Sequence, residues 1–245
     1  MDDLVLDRDY KRGDQGVKVR LIQEWLCLDG FQVVIDGAFG PATEVAVRQF
    51  QVQAGVEVDG VVGPITFSRL VLPITRALAP VAADSASLGA MVVSYAKQHL
   101  AQRPREVGGQ NSGPWVRLYM NGHDGPEWPW CAGFASFMLT QACTSVSVPV
   151  PVTPSVSCDS LAASAKQNGR FIAEAEVTDR ARLTPGSLFL NRRTATDWVH
   201  TGVILDAQAE VFQTIEGNTN DDGSREGYEV CQRVRGYASK DFILI

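Results

Sequence analysis

Three short stretches carry the residue types that nucleophilic catalysis needs. The first is "WPWCAGFASFML", Trp128 to Leu139, which sets Cys131 behind two tryptophans and a proline. Pro129 suits a helix start, and Phe134, Phe137 and Met138 follow at spacings that give one apolar face. Cys131 therefore falls in the first turn of an expected helix. A thiol there feels the positive end of the helix macrodipole, which favours the reactive thiolate. The second stretch is "DWVHTGVIL", where His200 heads a strand-like run, and the third is "TIEGNTN", where Glu216 and Asn218 close the next run. A cysteine nucleophile needs a base, and the base needs an orienting group. Two adjacent antiparallel strands would bring His200 and Glu216 together, and Glu216 and Asn218, two residues apart, would share a face of their strand. Taken singly, each residue has an inert alternative: a buried structural thiol, a satisfied core histidine, a solvated edge carboxylate.

The elements that must position these groups fall into a helical part and a strand part. Helical text occupies 87–101, 130–143 and 158–168. Short β-like runs follow at 187–190, 200–206, 211–217, 228–235 and 241–245, with Gly, Asp and Asn between them. Helices first and strands later predict an α+β arrangement with an antiparallel sheet.

The first seventy residues read differently. "DGAFGPAT" (Asp36 to Thr43) and "DGVVGPIT" (Asp59 to Thr66) share Asp, Gly, Gly, Pro and Thr at fixed places. In each copy Asp-Gly makes a tight turn and the Pro suits the first turn of a helix. Val45, Ala46 and Phe50 would form the apolar side after Pro41, and Phe67 and Leu70 that after Pro64. Before the first copy, Val17 to Leu28 reads as a helix with Leu21, Ile22, Trp25 and Leu26 buried. Three short helices joined by two matched loops predict a small all-α module of roughly 60–70 residues, near the lower limit for independent folding. The following text, "LPITRALAPVAADSASL", is rich in Ala, Pro and Ser and reads as a linker.

Bulk properties narrow the partners. The chain has 245 residues, a net charge of −6 and a pI near 5.1. That argues against nucleic acid and against electrostatic attraction to anionic membranes or wall polymers, so affinity for such a polymer must come from shaped pockets. No apolar run approaches the ~20 residues of a membrane helix. The acidic start, "MDDLVLDRDYKRGDQG", shows no signal-peptide pattern, which predicts synthesis as a soluble cytoplasmic product delivered by another route. Five scattered cysteines and three histidines form no disulfide framework and fit no compact metal motif, so neither metal nor cofactor is expected.

Two resemblances extend this reading. The stretches "RGDQGVKVRLIQEWL", "IDGAFGPATEVAVRQFQ" and "VDGVVGPITFSRL" resemble the peptidoglycan-binding domain family of wall hydrolases. The resemblance implies a wall-binding domain at 1–72, a linker at 73–86, and contacts in the loops holding Asp36, Phe39 and Asp59. The alternative is a three-helix bundle that only folds and spaces. Residues 90–235 resemble the CHAP family of cysteine- and histidine-dependent amidohydrolases and peptidases, on "GGQNSGPWVRLYMNG", "PWCAGFASFML", "PGSLFL", "VHTGVIL" and "IEGNTN". Ser187 stands where relatives often carry Asp. The resemblance implies a papain-like α+β domain at 87–245 with Cys131, His200, Glu216 and Asn218 as its catalytic set. The chemistry is acyl transfer, with the backbone N–H of Cys131 as a candidate oxyanion donor. Trp115, Trp128 and Trp130 are candidates to wall the cleft and stack on substrate, against the alternative of ordinary core aromatics.

The expected function is that of a peptidoglycan hydrolase, foremost an N-acetylmuramoyl-L-alanine amidase. A stem or cross-bridge endopeptidase and a non-catalytic wall-binding protein are the alternatives. An NlpC/P60-like enzyme fits less well, because the cysteine follows Trp and the third group is Glu-x-Asn. Phage lysis and injection as an antibacterial effector both fit the start of the chain. The second would bring delivery machinery and an immunity protein as partners.

Overall fold

The computed structural model describes residues 2–82, 87–220 and 227–245. The protein is α+β: eight α-helices among the described residues, and a six-stranded antiparallel sheet. Helix α1 spans Val17–Leu28, α2 Pro41–Ala54, α3 Pro64–Leu70 and α4 Leu72–Leu78. Both repeat loops turn through a left-handed glycine, Gly37 at φ 76° and Gly60 at φ 74°, and both place proline at the first helical position.

A buried glutamine organises each loop. The Gln23 side-chain amide donates to Asp36 Oδ1 (2.9 Å), the Ala38 carbonyl (3.1 Å) and Thr43 Oγ1 (3.1 Å), and its oxygen accepts from the Gly37 N–H (2.8 Å). Gln51 repeats the pattern with Asp59 Oδ1 (2.7 Å), the Val61 carbonyl (3.0 Å), Thr66 Oγ1 (3.1 Å) and the Gly60 N–H (2.9 Å). Each buried amide is thus satisfied inside its own turn. The expected stripe of α1 is buried in full. On α2, Val47 takes the buried place beside Ala46 and Phe50, while Val45 points to solvent at 54% exposure.

The stretch read as a linker is helical over its first part. Helix α4 buries Ile74 and Ala77, and the Ala77 carbonyl accepts from the side chains of Gln98 (3.0 Å) and Gln141 (3.3 Å). Positions 83–86 of that stretch lie outside the described residues.

The second region comprises α5 (Leu88–Ala101), α6 (Pro114–Tyr119), α7 (Cys131–Val146) and α8 (Cys158–Gln167). Strands β1 (Phe171–Ile172), β2 (Leu188–Thr194), β3 (Asp197–Ala207), β4 (Val211–Thr219), β5 (Glu229–Gly236) and β6 (Lys240–Ile243) follow. The strand order is β1-β6-β2-β3-β4-β5. Helix α7 packs on β3 and β4, and α8 packs on β3. Alternation along the strands serves both faces. Leu188, Leu190, Val203 and Ile215 join the large core under the helices, whereas Phe189, Ile204, Phe212 and Phe242 form a second cluster on the other side.

That large core also continues into the N-terminal helices. Trp25 meets Trp115 edge to face at 6.1 Å. Arg117 of α6 reaches Glu24 of α1 (2.5 Å), Asp3 (2.6 Å) and Asp124 (2.7 Å), and Glu24 is almost fully buried. Burial opposes the charge on Arg117, yet the Glu24 and Asp3 carboxylates raise its pKa.

Candidate active site

Cys131 is the first residue of α7, preceded by Trp130 at the cap position. Trp130 is held there by stacking on Tyr119 (5.6 Å) and by its indole N–H donating to Glu106 (2.9 Å). The thiol thus sits where helical N–H groups have no partner within the helix. Strand β3 supplies His200, whose Nε2 lies 2.7 Å from Glu216 Oε2 on β4. The adjoining pair Val203 and Ile215 fixes the register, and the two side chains meet as diagonal cross-strand neighbours. Gly202 makes this possible: a Cβ there would stand 2.6 Å from Glu216 Cγ.

The electrostatics link sulfur to carboxylate. The Cys131 thiol is held well below its ordinary pKa, first by a hydrogen bond from Cys158, then by His200 and the Thr201 backbone, against the effect of burial. Burial also opposes charge on His200, but its bonds to Cys131 and Glu216 push it up to about 9. Glu216 is fully buried, and burial alone would raise its pKa. Arg235 and His200 instead pull it down to about 2. Arg235 of β5 grips both Glu216 oxygens, at 2.8 and 2.5 Å, and Thr214 donates to Oε1 at 2.6 Å. These shifts favour a thiolate beside an imidazolium, backed by an ionised carboxylate. With Nε2 committed to Glu216, Nδ1 is the nitrogen left for the sulfur.

The remaining expected site residues divide. Asn218 does not share the strand face of Glu216 by simple alternation. The β4–β5 register shifts between Glu216 and Thr219, and Asn218 sits in the left-handed region at φ 53°. Its Oδ1 is buried with no hydrogen-bond partner among the described residues. Trp115 and Trp130 are 1% and 0% exposed and belong to the core, so neither is available to stack on a substrate. Phe39 is likewise core, at 2%. Asp36 and Asp59 are exposed, but the Oδ1 of each accepts from its hub glutamine and from a backbone N–H two residues on. They shape the loops. Trp128 remains partly exposed and stacks flat on His123 at 4.4 Å. The third histidine, His99, is buried between Tyr119 and Gln141, and burial lowers its pKa to about 4.

Sequence reasoning missed Arg235, Thr214, Gly202 and Cys158. Alternation within "YEVCQRVR" puts Cys231, Arg233 and Arg235 on one face, but the β4–β5 register sets Cys231 opposite Glu216, and Arg235, opposite Phe212, reaches Glu216 along the sheet. Cys158 lies 27 residues from Cys131, across a helix-to-helix contact that no local pattern encodes.

Comparison with known proteins falls on the N-terminal part. Residues 15–70 match the family model described as "Putative peptidoglycan binding domain". A 41-residue segment is 51% identical to the zinc D-Ala-D-Ala carboxypeptidase of Streptomyces albus G, covering 17% of this chain and 16% of that protein. A 47-residue segment is 43% identical to an uncharacterized protein of Kitasatospora aureofaciens, covering 19% and 40%. The match therefore spans well under half of these relatives' own lengths. Among solved structures, the SleB N-terminal domain is 37% identical, with 27% of this chain and 93% of that chain covered and a TM-score of 0.27. A Burkholderia AP3 phage endolysin is 30% identical, with 38% and 33% covered and a TM-score of 0.26. Helices α1 to α3 thus lie within the stretch that matches the peptidoglycan-binding domain model. No helix among the described residues is long and apolar enough to cross a membrane.

Proposed function

We propose that the chain is a peptidoglycan hydrolase that cuts an amide bond by thiol nucleophilic catalysis, foremost the bond between N-acetylmuramic acid and L-alanine. In this reading residues 1–72 bind the wall and a CHAP-like, papain-like domain at 87–245 does the chemistry. The observation that carries it is a buried thiol at the start of α7, held below its ordinary pKa in part by His200, with His200 Nε2 in turn 2.7 Å from Glu216.

The steps follow from the groups. Cys131 thiolate attacks the amide carbonyl carbon, and the electron pair moves to the carbonyl oxygen. The unpaired N–H groups at the start of α7 face developing negative charge, and one such donor is worth ~3 kcal/mol in a transition state. His200, already protonated, gives its proton to the leaving amine. Glu216 keeps the ring oriented and favours the imidazolium. His200 then takes a proton from water as the water attacks the thioester, and the thiolate is restored. Arg235 and Thr214 hold Glu216 in place, which fixes the ring in turn. The Trp128–His123 stack, which in sequence begins three residues before the cysteine at its nearer end, is a partly exposed aromatic pair.

The test is mass spectrometry of purified peptidoglycan digested by the full chain, with Cys131→Ala as control. Free stem peptides beginning with L-alanine, released from intact glycan, are expected. Split stems or cross-links would transfer the reading to an endopeptidase. The absence of any Cys131-dependent product would overturn it in favour of a wall-binding protein.

A further inference from the structure

The mechanism above does not use the buried thiol of Cys158. Cys158 Sγ lies 3.9 Å from Cys131 Sγ, and both residues are buried, at 7% and 4% exposure. Neither is in a disulfide. Each opens a helix, Cys131 that of α7 and Cys158 that of α8. The start of α8 is pinned twice. Ser157 caps it by accepting from the Ser160 N–H, and Asp159 Oδ1 accepts from the Trp198 N–H of β3 at 2.8 Å. Trp198 is two residues from His200, so the second sulfur is fixed to the strand that carries the base.

We propose that Cys158 is the resolving thiol of a reversible redox-modification site, in which an oxidised Cys131 is captured as a Cys131–Cys158 disulfide. The proposal rests on Cys131 being the reactive thiol of the site. Closing from the observed separation to the ~2.05 Å of a disulfide asks each sulfur to move by about 1 Å, within reach of small side-chain rotations.

The steps balance with a peroxide as oxidant. Cys131 thiolate attacks one oxygen of hydrogen peroxide. The O–O bond breaks, hydroxide leaves, and Cys131 becomes a sulfenic acid. The Cys158 sulfur then attacks the Cys131 sulfur. The S–S bond forms and the S–O bond breaks. The departing hydroxide takes the thiol proton and leaves as water. Overall two thiols lose two electrons and one peroxide becomes two waters. A dithiol reductant reverses the change by thiol exchange. The local charges suit this order. With Cys131 ionised, its hydrogen bond to Cys158 holds Cys158 protonated and well above the ordinary thiol range. Conversion of Cys131 to a neutral sulfenic acid removes that charge, and the α8 terminus then favours the Cys158 thiolate. The disulfide removes the nucleophile and also spares it from irreversible oxidation.

The experiment treats the full chain with a small excess of hydrogen peroxide and follows intact mass and non-reduced peptide maps. In parallel, iodoacetamide labelling reports whether Cys131 is reactive. The expected result is a loss of about 2 Da, a cross-linked peptide joining positions 131 and 158, and full reversal by dithiothreitol. Cys158→Ser should instead gain about 32 Da at Cys131, the sulfinic acid, with no recovery. Selective labelling of Cys131 without the cross-link, or recovery by Cys158→Ser equal to the unaltered chain, would overturn the resolving role and leave the nucleophile standing. Failure of Cys131 both to label and to oxidise would overturn the nucleophile reading as well.

Discussion

The N-terminal helices and the sheet region both bury polar side chains, but they satisfy them in opposite ways. Gln23 and Gln51 are neutral amides, and the four bonds that each makes return to its own repeat loop. Glu216 is a buried charge, and its bonds run outward through His200 to a sulfur at a helix terminus. A closed neutral hub fixes a turn and has no group left for chemistry. A charged network that ends on a thiolate leaves one nucleophilic atom at its end. His99 and His200 repeat the contrast. The first is neutral between Tyr119 and Gln141, and the second is held protonated between a thiolate and a carboxylate.

The comparison can be broken most decisively at the sulfur. Cys131→Ala should fold as the parent does and lose wall cleavage by on the order of 10³-fold or more, read by product release from purified wall. Glu216→Gln should come next. It removes the negative charge that raises His200, so the imidazolium titrates lower. The alkaline limb of the pH–rate profile, expected near pH 9 in the parent, should move down toward 6.5, the ordinary histidine value. The sign follows from the raised pKa: the ion pair persists while His200 stays protonated and is lost as pH rises through about 9.

The junction between the regions is the third target. Arg117→Met leaves Glu24 buried, with Arg20 at 3.4 Å as its remaining cationic neighbour. A stability loss of about 3 kcal/mol is expected by denaturant titration, with Cys131 reactivity unchanged below the transition. The smallest effect belongs to the hub. Gln51→Ala strips four bonds from the second repeat loop and should cost about 1–3 kcal/mol while leaving wall cleavage by the folded protein unchanged. A change in the pH profile of Gln51→Ala would mean that the loop hub is coupled to the Cys131, His200 and Glu216 network.

The sequence made much of this legible where the information is local. The repeat loops follow from Asp-Gly and Gly-Pro, whose turn and helix-start preferences are properties of two residues. The pairing of His200 with Glu216 follows from two strands adjacent in the chain. Helices α5, α7 and α8 and strands β2 to β6 lie close to where periodicity put them. What was illegible depends on tertiary register or on short elements. Helix α4 hid in an Ala- and Pro-rich stretch because its seven residues draw their stability from packing against α5 rather than from a periodic stripe. Trp115 and Trp130 stay open between cleft and core in the sequence, because composition cannot tell a core tryptophan from an exposed one. The roles of Arg235 and Cys158 required knowing which strands and helices meet. Asn218 departed from alternation because a bulge intervenes, and no residue pattern around "IEGNTN" announces one.

The central claim is that Cys131 is a thiolate at neutral pH because His200 and its neighbours hold it so. The most direct measurement is the rate of iodoacetamide alkylation of Cys131 as a function of pH, mapped by peptide mass. The account predicts that Cys131 reacts selectively and keeps its rate well below the ~8.5 of an ordinary thiol. A rate that falls off near that value, or labelling that favours another cysteine, would contradict it.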